Sequence, residues 1–223
     1  MMFRVWGRQA LFAVPHLRAD AYSYEVMPPS AMKGILRSLY GKPEIEWEIG
    51  AIEVLNPIIF DTTKVRNVNK KATVDDERTL STITALVGVD YVVHARFTTN
   101  PHRAQRSVSQ YAAEVHKRLA AQGQEFRTPC FGRREYPVSW KVLGSRDEAP
   151  PALPITKDLG TMLFDQLALD MKDHWEPVFA RFQLENGVMH VPHALYDRHR
   201  AHIMRTRHER AEDARSTREG GAA

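Results

Sequence analysis

The sequence predicts an α+β fold with a ferredoxin-like (RRM-like) N-terminal domain and a small antiparallel β C-terminal domain. The first observation is the order of elements in residues 1–125, which reads strand, helix, strand, strand, loop, strand, helix. That order is close to a βαββαβ unit, provided that a closing strand follows near Phe126. The second is the change after residue 125 to alternating strands, a proline-rich connector and an Asn-Gly turn. We therefore predict domains at 1–125 and 126–195, followed by a charged, flexible or weakly helical tail at 196–223.

Composition limits the class of protein before any motif is considered. Of the 223 residues, 43% are hydrophobic, which is enough for a real core. The formal charge of +4 is compatible with an anionic partner such as nucleic acid but does not require one. The single cysteine, Cys130, excludes an internal disulfide and a cysteine-cluster metal site, and it is typical of a reducing cytoplasm. No apolar run approaches the roughly 18 residues of a membrane span, so we expect no membrane association.

A strand and a short helix are predicted first. Residues 3–12 predict the strand, in which Gly7 marks either a bulge or the close approach of another backbone or a ligand. The helix follows two consecutive prolines, with Ser30 as its predicted N-cap and Gly41 at its end. The residues at helical spacing that face the core are Ala31, Ile35, Leu36 and Leu39.

The other sides of this helix carry its polar chemistry. Lys33 and Arg37 stand four residues apart and predict a cationic flank. Tyr40 lies at the last turn, next to Lys42. From these residues alone, Tyr40 is either a half-buried aromatic with its hydroxyl in water or a catalytic phenol.

Residues 44–78 predict two strands and a basic loop. Glu44 to Ile49 alternates acidic with apolar residues, and we expect the acidic row to be a solvated face. Residues 51–60 continue as a strand kinked at Pro57. Segment 61–78 predicts a loop that is either a thumb along a phosphate backbone or a solvated hairpin. Its cations are Lys64, Arg66, Lys70 and Lys71.

The remaining elements follow from periodicity. Residues 89–97 predict a strand, and residues 103–122 predict an amphipathic helix. The later part predicts alternation at 138–142, an apolar run at 159–169, and a hairpin at 178–191 about Asn186-Gly187.

The sequence lacks the motifs of several enzyme classes. It has no phosphate-binding glycine loop, no HExxH motif and no GxSxG motif. His190, His193, His199 and His202 have spacings that suit a metal but lack a carboxylate or cysteine framework, so we expect no metal site and no cofactor. Basic and aromatic residues on predicted loops and strand edges instead fit single-stranded RNA. The predicted RNA-binding residues are Lys33, Arg37, Lys42, Lys64, Arg66, Lys70, Lys71, Arg127, Phe131, Arg133 and Arg134.

Several longer stretches also resemble a known family. They are the VWG at residues 5–7, YSYEVMPPSAMKGIL from Tyr22, VLNPI from Val54, GQEFRTPCFGRREYP from Gly123, and DLGTMLFD from Asp158. Over nearly its whole length before the tail, the chain resembles the subtype I-C CRISPR-associated protein of the Cas-five family, in the RAMP superfamily. The resemblance implies an endoribonuclease that cuts precursor CRISPR RNA within its repeat without metal. It also implies that the protein stays on the 5′ handle in the interference complex with the backbone and large subunits. The charged tail adds a possible non-specific attraction to DNA or RNA.

Metal-free cleavage of RNA needs a proton acceptor for the 2′-hydroxyl, a donor for the leaving oxygen and a cation over the phosphate. The family pattern supplies a tyrosine on the first helix and a Lys-His pair near the start of the second. Tyr40 matches the tyrosine, whereas residues 109–112 read Ser-Gln-Tyr-Ala where the pair is expected. The nearest substitutes are His116 with Lys117, and His102 with Arg103.

Two hypotheses follow. In the first, the protein is a metal-independent endoribonuclease in which Tyr40 donates a hydrogen bond, since the ordinary pKa of tyrosine is about 10. His116 or His102 then serves as acid or base, because the ordinary pKa of histidine is about 6.5. Lys117 or Arg103 is the cation over the phosphate. His116 also lies beside the apolar stripe of its helix, where a packed structural histidine is the alternative interpretation. In the second, the protein caps the 5′ handle without cutting it, which the missing Lys-His pair favours.

Overall fold

The computed structural model describes residues 1–15, 17, 20–67, 79–100, 103–121, 125–168 and 175–201. Within these residues the chain is α+β, as predicted, with one mostly antiparallel sheet. The strands are β1 Met2–Ala10, β2 Ala21–Tyr22, β3 Ile45–Val54, β4 Phe60–Asn67, β5 Thr79–Thr99, β6 Ser139–Leu143, β7 Lys157–Ala168, β8 Trp175–Glu185 and β9 Val188–His190. The helices are α1 Pro29–Leu39, α2 Val108–Ala120 and α3 at residues 193–201, with a 3-10 turn at Arg146–Glu148.

The order of strands in the sheet is β6-β1-β5-β3-β9-β8-β7, and β2 and β4 add to β5. β1 is antiparallel to both of its neighbours, so that Val5 pairs with Tyr91 on one side and Trp140 on the other. β6 is thus the strand that follows α2 and closes this end of the sheet, and it begins at Ser139. The domain boundary near residue 125 stays a prediction, and it falls between α2 and this closing strand.

The main core lies between one face of the sheet and the helices. Phe3 on β1 and Trp47 on β3 are both buried, with their ring centroids 6.1 Å apart in an edge-on contact. Ile35 and Leu36 of α1 are buried in the same cluster, as their helical spacing predicted. Each fully buried side chain of this size stabilises the fold by roughly 1.5–3 kcal/mol relative to its exposed state. This core fixes the position of α1 on the sheet.

One turn and one strand position follow from the backbone chemistry of glycine. The predicted hairpin at Asn186-Gly187 is confirmed, with φ of 48° at Asn186 and 79° at Gly187. Both values lie in the left-handed region that tight hairpin turns require. At Gly7 a Cβ would lie 3.0 Å from a ring carbon of Phe131 and 3.0 Å from the carbonyl oxygen of Pro137. Gly7 therefore marks the close approach of another segment.

The start of α1 differs from the prediction. Pro28 occupies the N-cap position and Pro29 is the first helical residue, without a side-chain cap. Proline suits this position because its missing N–H would have no partner in the first turn. The Ser30 hydroxyl instead donates to the carbonyl oxygen of Leu163 on β7 at 2.8 Å. Ser30 thus connects α1 to β7 and does not cap the helix.

Other element boundaries also differ from the predicted ones. The strand predicted at 51–60 stops at Val54, and a loop around Pro57 separates β3 from β4. The helix predicted at 103–122 begins only at Val108, because Ser107 and Gln110 form a capping box there. β4 occupies the first part of the predicted loop 61–78, and residues 68–78 lie outside the described part of the chain. Among the described residues, no helix is long and apolar enough to cross a membrane.

The predicted tail begins as ordered structure. Tyr196 of α3 is 4% exposed, and its hydroxyl accepts from the Ile49 N–H at 2.7 Å and donates to the Ile49 carbonyl oxygen at 3.2 Å. The side chain thereby supplies the hydrogen bonds that a neighbouring strand would give to β3. Residues 196–201 are helical, which is one of the two alternatives predicted for the tail, and residues 202–223 lie outside the description. The boundaries of the tail stay a prediction.

Candidate nucleic-acid interface

The structure places Tyr40 where α1 ends. Its N–H still donates to the Leu36 carbonyl oxygen at 2.8 Å, and its own carbonyl oxygen accepts from the Trp47 indole N–H at 3.0 Å. The side chain is 2% exposed, so the prediction of a half-buried ring with its hydroxyl in water is wrong. The hydroxyl is buried and makes no hydrogen bond of standard geometry among the described residues, although the Glu114 and Lys42 side chains lie within reach of it. A buried, unpaired hydroxyl costs about 1–3 kcal/mol, which makes it a feature that needs an explanation.

Two charged side chains flank this hydroxyl. Lys42 Nζ lies 5.7 Å from the centroid of the Tyr40 ring and 2.5 Å from Glu114 Oε1 on α2. The other oxygen of Glu114 accepts from the Arg106 guanidinium at 3.2 Å. The side chains of Lys42 and Glu114 are 37% and 31% exposed, so this pair lies at the surface, beside the buried ring. Glu114 thereby connects the end of α1 to the second turn of α2.

The protonation states of Tyr40, Lys42 and Glu114 determine what these three side chains can do chemically. Burial, and then the Glu114 carboxylate, raise the pKa of Tyr40, so its hydroxyl keeps its proton at neutral pH. The hydrogen bond to Glu114 raises the pKa of Lys42, and the same bond lowers the pKa of Glu114. Tyr40 is therefore suited to donate a hydrogen bond, and Lys42 to stabilise a phosphate, whereas Glu114 is a weak base.

The predicted acid–base residues lie apart from this group. His116 is exposed on α2, two residues beyond Glu114, and residues so spaced point in different directions from a helix. Lys117 is also exposed, and its spacing of three puts it on the same side as Glu114. His102 lies outside the described residues. The structure thus brings Tyr40 and Lys42 together but not His116.

Residues 109–112, where the Lys-His pair is expected, have structural roles instead. The Gln110 side chain accepts from the Ser107 N–H at 3.1 Å, and the Gln110 N–H donates to the Ser107 hydroxyl in return. Tyr111 is 3% exposed and packs in the core. These residues cap α2 and fix it to the sheet, and neither side chain replaces a Lys-His pair.

Two of the predicted RNA-binding residues are buried, so both expectations need correction. Lys33 is 2% exposed, with Nζ 2.5 Å from Asp165 Oδ2 and 3.0 Å from Glu46 Oε1. Phe131 is fully buried against Phe12, with ring centroids 5.7 Å apart. In this arrangement Lys33 neutralises the buried Asp165 and the partly exposed Glu46, and Phe131 supports β1, so neither meets an RNA strand.

The acidic row of β3 is not a solvated face either. Glu48 has a side-chain exposure of only 1%, and it binds Arg96 at 2.8 Å and also Arg200 of α3. Glu46 binds the buried Lys33, as described above. Strict alternation predicted a solvent-facing row because sequence alone does not show that α3 and β7 cover this edge of β3.

The other predicted cations divide into two groups. Lys42 is paired with Glu114, whereas exposed side chains without an ion pair among the described residues are Arg37, Lys64, Arg127, Arg133 and Arg134. The side chain of Arg66, and Lys70 and Lys71 entirely, lie outside the description. The exposed group leaves several surface cations available to an anionic partner.

Sequence reasoning missed Glu114 and Phe126. Glu114 is one of several carboxylates on polar helix faces, and no spacing rule relates it to Lys42 across 72 residues. The sequence predicts a closing strand near Phe126, yet the Phe126 ring is 65% exposed and lies outside the strands. Its position in an irregular segment after α2 was the one available signal. Groups of three or more side chains that could hold a metal ion do not occur in the described residues.

Comparison with known proteins places the chain in a family. Residues 1–209 match the family described as CRISPR-associated protein (Cas_Cas5). A protein of Mannheimia succiniciproducens named CRISPR pre-crRNA endoribonuclease Cas5d is 32% identical over 211 residues, covering 84% of this chain and 92% of its own. A Thermus thermophilus protein of the same name is 33% identical over 183 residues, covering 80% and 78% of the two chains.

A solved structure shows the same fold. It is described as a CRISPR-associated protein, and it covers 86% of this chain and 90% of its own, with a TM-score of 0.65 and 22% identity. The α+β sheet and the extensive family match agree with each other. The chain belongs to the CRISPR-associated Cas5 family, with relatives of the Cas5d type.

Proposed function

We propose that this protein is a metal-independent endoribonuclease that cleaves precursor CRISPR RNA within the repeat and remains on the 5′ handle. The names of its two relatives support this activity. The single observation that carries the proposal is the buried hydroxyl of Tyr40, which makes no hydrogen bond of standard geometry among the described residues and lies beside the Lys42–Glu114 pair. An RNA group that accepts a hydrogen bond there would satisfy it.

The reaction is a transfer of the phosphate ester within the RNA. The 2′-hydroxyl attacks the adjacent phosphorus, the bond to the 5′-oxygen breaks, and the products are a 2′,3′-cyclic phosphate and a 5′-hydroxyl. Tyr40 donates a hydrogen bond to a phosphate oxygen, and Lys42 stabilises the negative charge that grows on it. The 2′ proton goes to a histidine, for which His116 and His102 remain the candidates, and the protonated histidine returns a proton to the leaving 5′-oxygen to give the 5′-hydroxyl.

The ion pair also suggests how RNA reaches the hydroxyl. A phosphate is a strong acceptor for an ammonium group and competes with Glu114 for Lys42. Because the pair is partly exposed, we expect RNA to displace Glu114 and open a path to the ring below. Glu114 would then act by holding Lys42 in place before substrate binds, without contacting the reacting atoms.

A ferredoxin-like arrangement of the first part of the chain fits this role. The order β6-β1-β5-β3, with antiparallel neighbours, is the order that a βαββαβ unit gives. We propose that this unit, with α1 and α2 on one face, presents Tyr40 and Lys42 to the RNA. The remaining strands, β7 to β9, extend the sheet through β3.

A second candidate function is binding of the 5′ handle without cleavage. It is favoured by residues 109–112, which cap α2 and pack in the core where the Lys-His pair is expected. It is also favoured by His116, which points away from the side of α2 that carries Glu114. In that case the exposed arginines would hold the strand and Tyr40 would only support the packing at the end of α1.

Incubation of the purified protein with its own repeat hairpin RNA in EDTA separates the two functions. A single cut that leaves a cyclic phosphate supports the endoribonuclease. A gel shift with intact RNA supports the binding subunit. Failure to shift or cut the hairpin at moderate salt overturns both. Retention of backbone and large subunits on the tagged protein tests its place in the complex.

A further inference from the structure

Phe126 is the most exposed large apolar side chain in the part of the chain that the structure describes, at 65%. A single exposed phenylalanine is common on protein surfaces and by itself carries no conclusion. Phe126 differs because its backbone is hydrogen-bonded to α1, the Arg127 guanidinium lies over its ring, and Tyr40 follows in the same turn of α1.

The backbone at Phe126 is fixed to the last turn of α1. The N–H groups of Phe126 and Arg127 both donate to the Ser38 carbonyl oxygen, at 2.9 and 3.2 Å. On the other side, the Glu125 carboxylate accepts from the Trp140 indole N–H at 3.2 Å. Ser38 stands two residues before Tyr40, so the exposed ring and the candidate catalytic hydroxyl are held by the same helical turn.

A cation accompanies the ring. The guanidinium carbon of Arg127 lies 5.6 Å from the centroid of the Phe126 ring, within the range of a cation–π contact. Arg127 makes no ion pair among the described residues. An exposed ring and an uncommitted guanidinium match the two halves of an unpaired nucleotide, since a base stacks on the ring and its phosphate meets the cation.

We propose that Phe126 and Arg127 form a stacking platform for one unpaired nucleobase of the RNA, next to the nucleotides that Tyr40 and Lys42 contact. This inference rests on the proposed function and adds the site that positions the strand. The platform accepts any base, because every base has a stacking face. It places an unpaired nucleotide outside the hairpin stem at the end of α1.

The test is fluorescence of 2-aminopurine placed at each single-stranded position of the repeat RNA in turn. Stacking on an aromatic ring quenches this base. The wild-type protein should quench one position, Phe126→Ala should abolish that quenching and weaken binding by about 5- to 150-fold, and Phe126→Trp should retain both. Phe179→Ala, which removes a 44% exposed phenylalanine on β8, is the matched control and should change neither.

The outcomes separate this inference from the proposed function. If the wild type binds RNA and Phe126→Ala quenches and binds as well as it does, the platform is excluded while the proposed function stands. Weaker binding with the quenching unchanged also overturns the platform, because the ring would then act only on the fold. A platform for a protein subunit would leave every RNA readout unchanged, and that result likewise excludes stacking of a base on Phe126. If the wild type binds no RNA, both proposals fail together.

Discussion

Lys42 Nζ lies 2.5 Å from Glu114 Oε1 and only 5.7 Å from the centroid of the Tyr40 ring. The contact joins two residues 72 positions apart and holds the end of α1 against α2. It also sets a cation beside a buried phenol that keeps its proton. The candidate site therefore depends on the packing of the two helices as well as on the residues themselves.

Removal of the cation tests its role over the phosphate. Lys42→Ala should lower the single-turnover cleavage rate by about 10²- to 10³-fold, the usual effect of losing one group that stabilises transition-state charge. Stability should change by less than about 1 kcal/mol, because the pair is partly exposed. The control is Lys141→Ala on β6, which breaks an exposed pair with Glu148. This variant should cleave RNA at the wild-type rate. Equal rates for both variants would remove Lys42 from the site.

The buried Lys33 should matter for stability and not for RNA. Lys33→Ala removes the ammonium group that pairs with Asp165 and Glu46 and leaves the buried Asp165 with only the His199 ring at 3.4 Å. The loss should cost about 3–5 kcal/mol of unfolding free energy, measured with urea. Lys157→Ala breaks an exposed pair with Glu25 and should cost under about 1 kcal/mol. A stable Lys33→Ala protein with weakened RNA binding would restore the sequence prediction that this side chain faces RNA.

The same pair predicts a pH dependence. Burial would raise the pKa of Glu46, but Lys33 outweighs it and the pKa is lowered. A lowered carboxyl pKa stabilises the fold above the ordinary value of about 4.5 and loses that contribution as pH falls through the folded value. Wild-type stability should therefore drop below about pH 4.5, and Lys33→Ala should lack this part of the drop. Parallel curves for the two proteins would contradict the pairing.

Tyr196 should secure the edge of β3. Tyr196→Phe removes both hydrogen bonds to Ile49 and leaves its buried N–H and carbonyl groups without that partner. The expected loss is about 1–3 kcal/mol in urea unfolding. Tyr22→Phe, at a side chain 41% exposed, serves as control. Faster hydrogen exchange at Ile49 in Tyr196→Phe would locate the effect, and an unchanged exchange rate would argue against it.

The exposed Arg133 and Arg134 should contribute to RNA affinity through their charge alone. Arg133→Ala with Arg134→Ala should reduce the slope of log affinity against log salt by about 0.7 for each phosphate of a single strand that the two side chains neutralise. Arg181 is exposed but paired with Asp158, so Arg181→Ala is the matched control and should leave the slope unchanged. An unchanged slope in the double variant would place the RNA path elsewhere on the surface.

Local patterns predicted most of the elements. The Asn186-Gly187 turn, the apolar spacing of α1 and the strand around Val89 all follow from short-range backbone and side-chain chemistry. The class of fold followed from their order. These features depend on residues close together in sequence, so a single sequence contains the information.

Contacts between distant elements were the part that the sequence did not reveal. Lys33 looks like a surface cation on its helix, and only β7 brings Asp165 beside it. Phe131 resembles a stacking residue because arginines surround it in sequence, but its ring fills space beside Gly7. The Lys42–Glu114 pair could not be predicted from the sequence either, because it also joins two distant elements. Tyr40 was found because the family resemblance identified it, and its burial was not foreseen.

The measurement that tests the account most directly is single-turnover cleavage of the repeat hairpin in EDTA by the wild type and by Tyr40→Phe. Tyr111→Phe, another buried tyrosine on the facing helix, is the control. We expect one cut by the wild type, a rate lower by about 10²-fold or more in Tyr40→Phe, and unchanged RNA affinity. The variant should be at least as stable as the wild type, because the hydroxyl it loses is buried and makes no hydrogen bond of standard geometry among the described residues. Equal rates for wild type and Tyr40→Phe, or intact RNA with both, would contradict the role assigned to Tyr40.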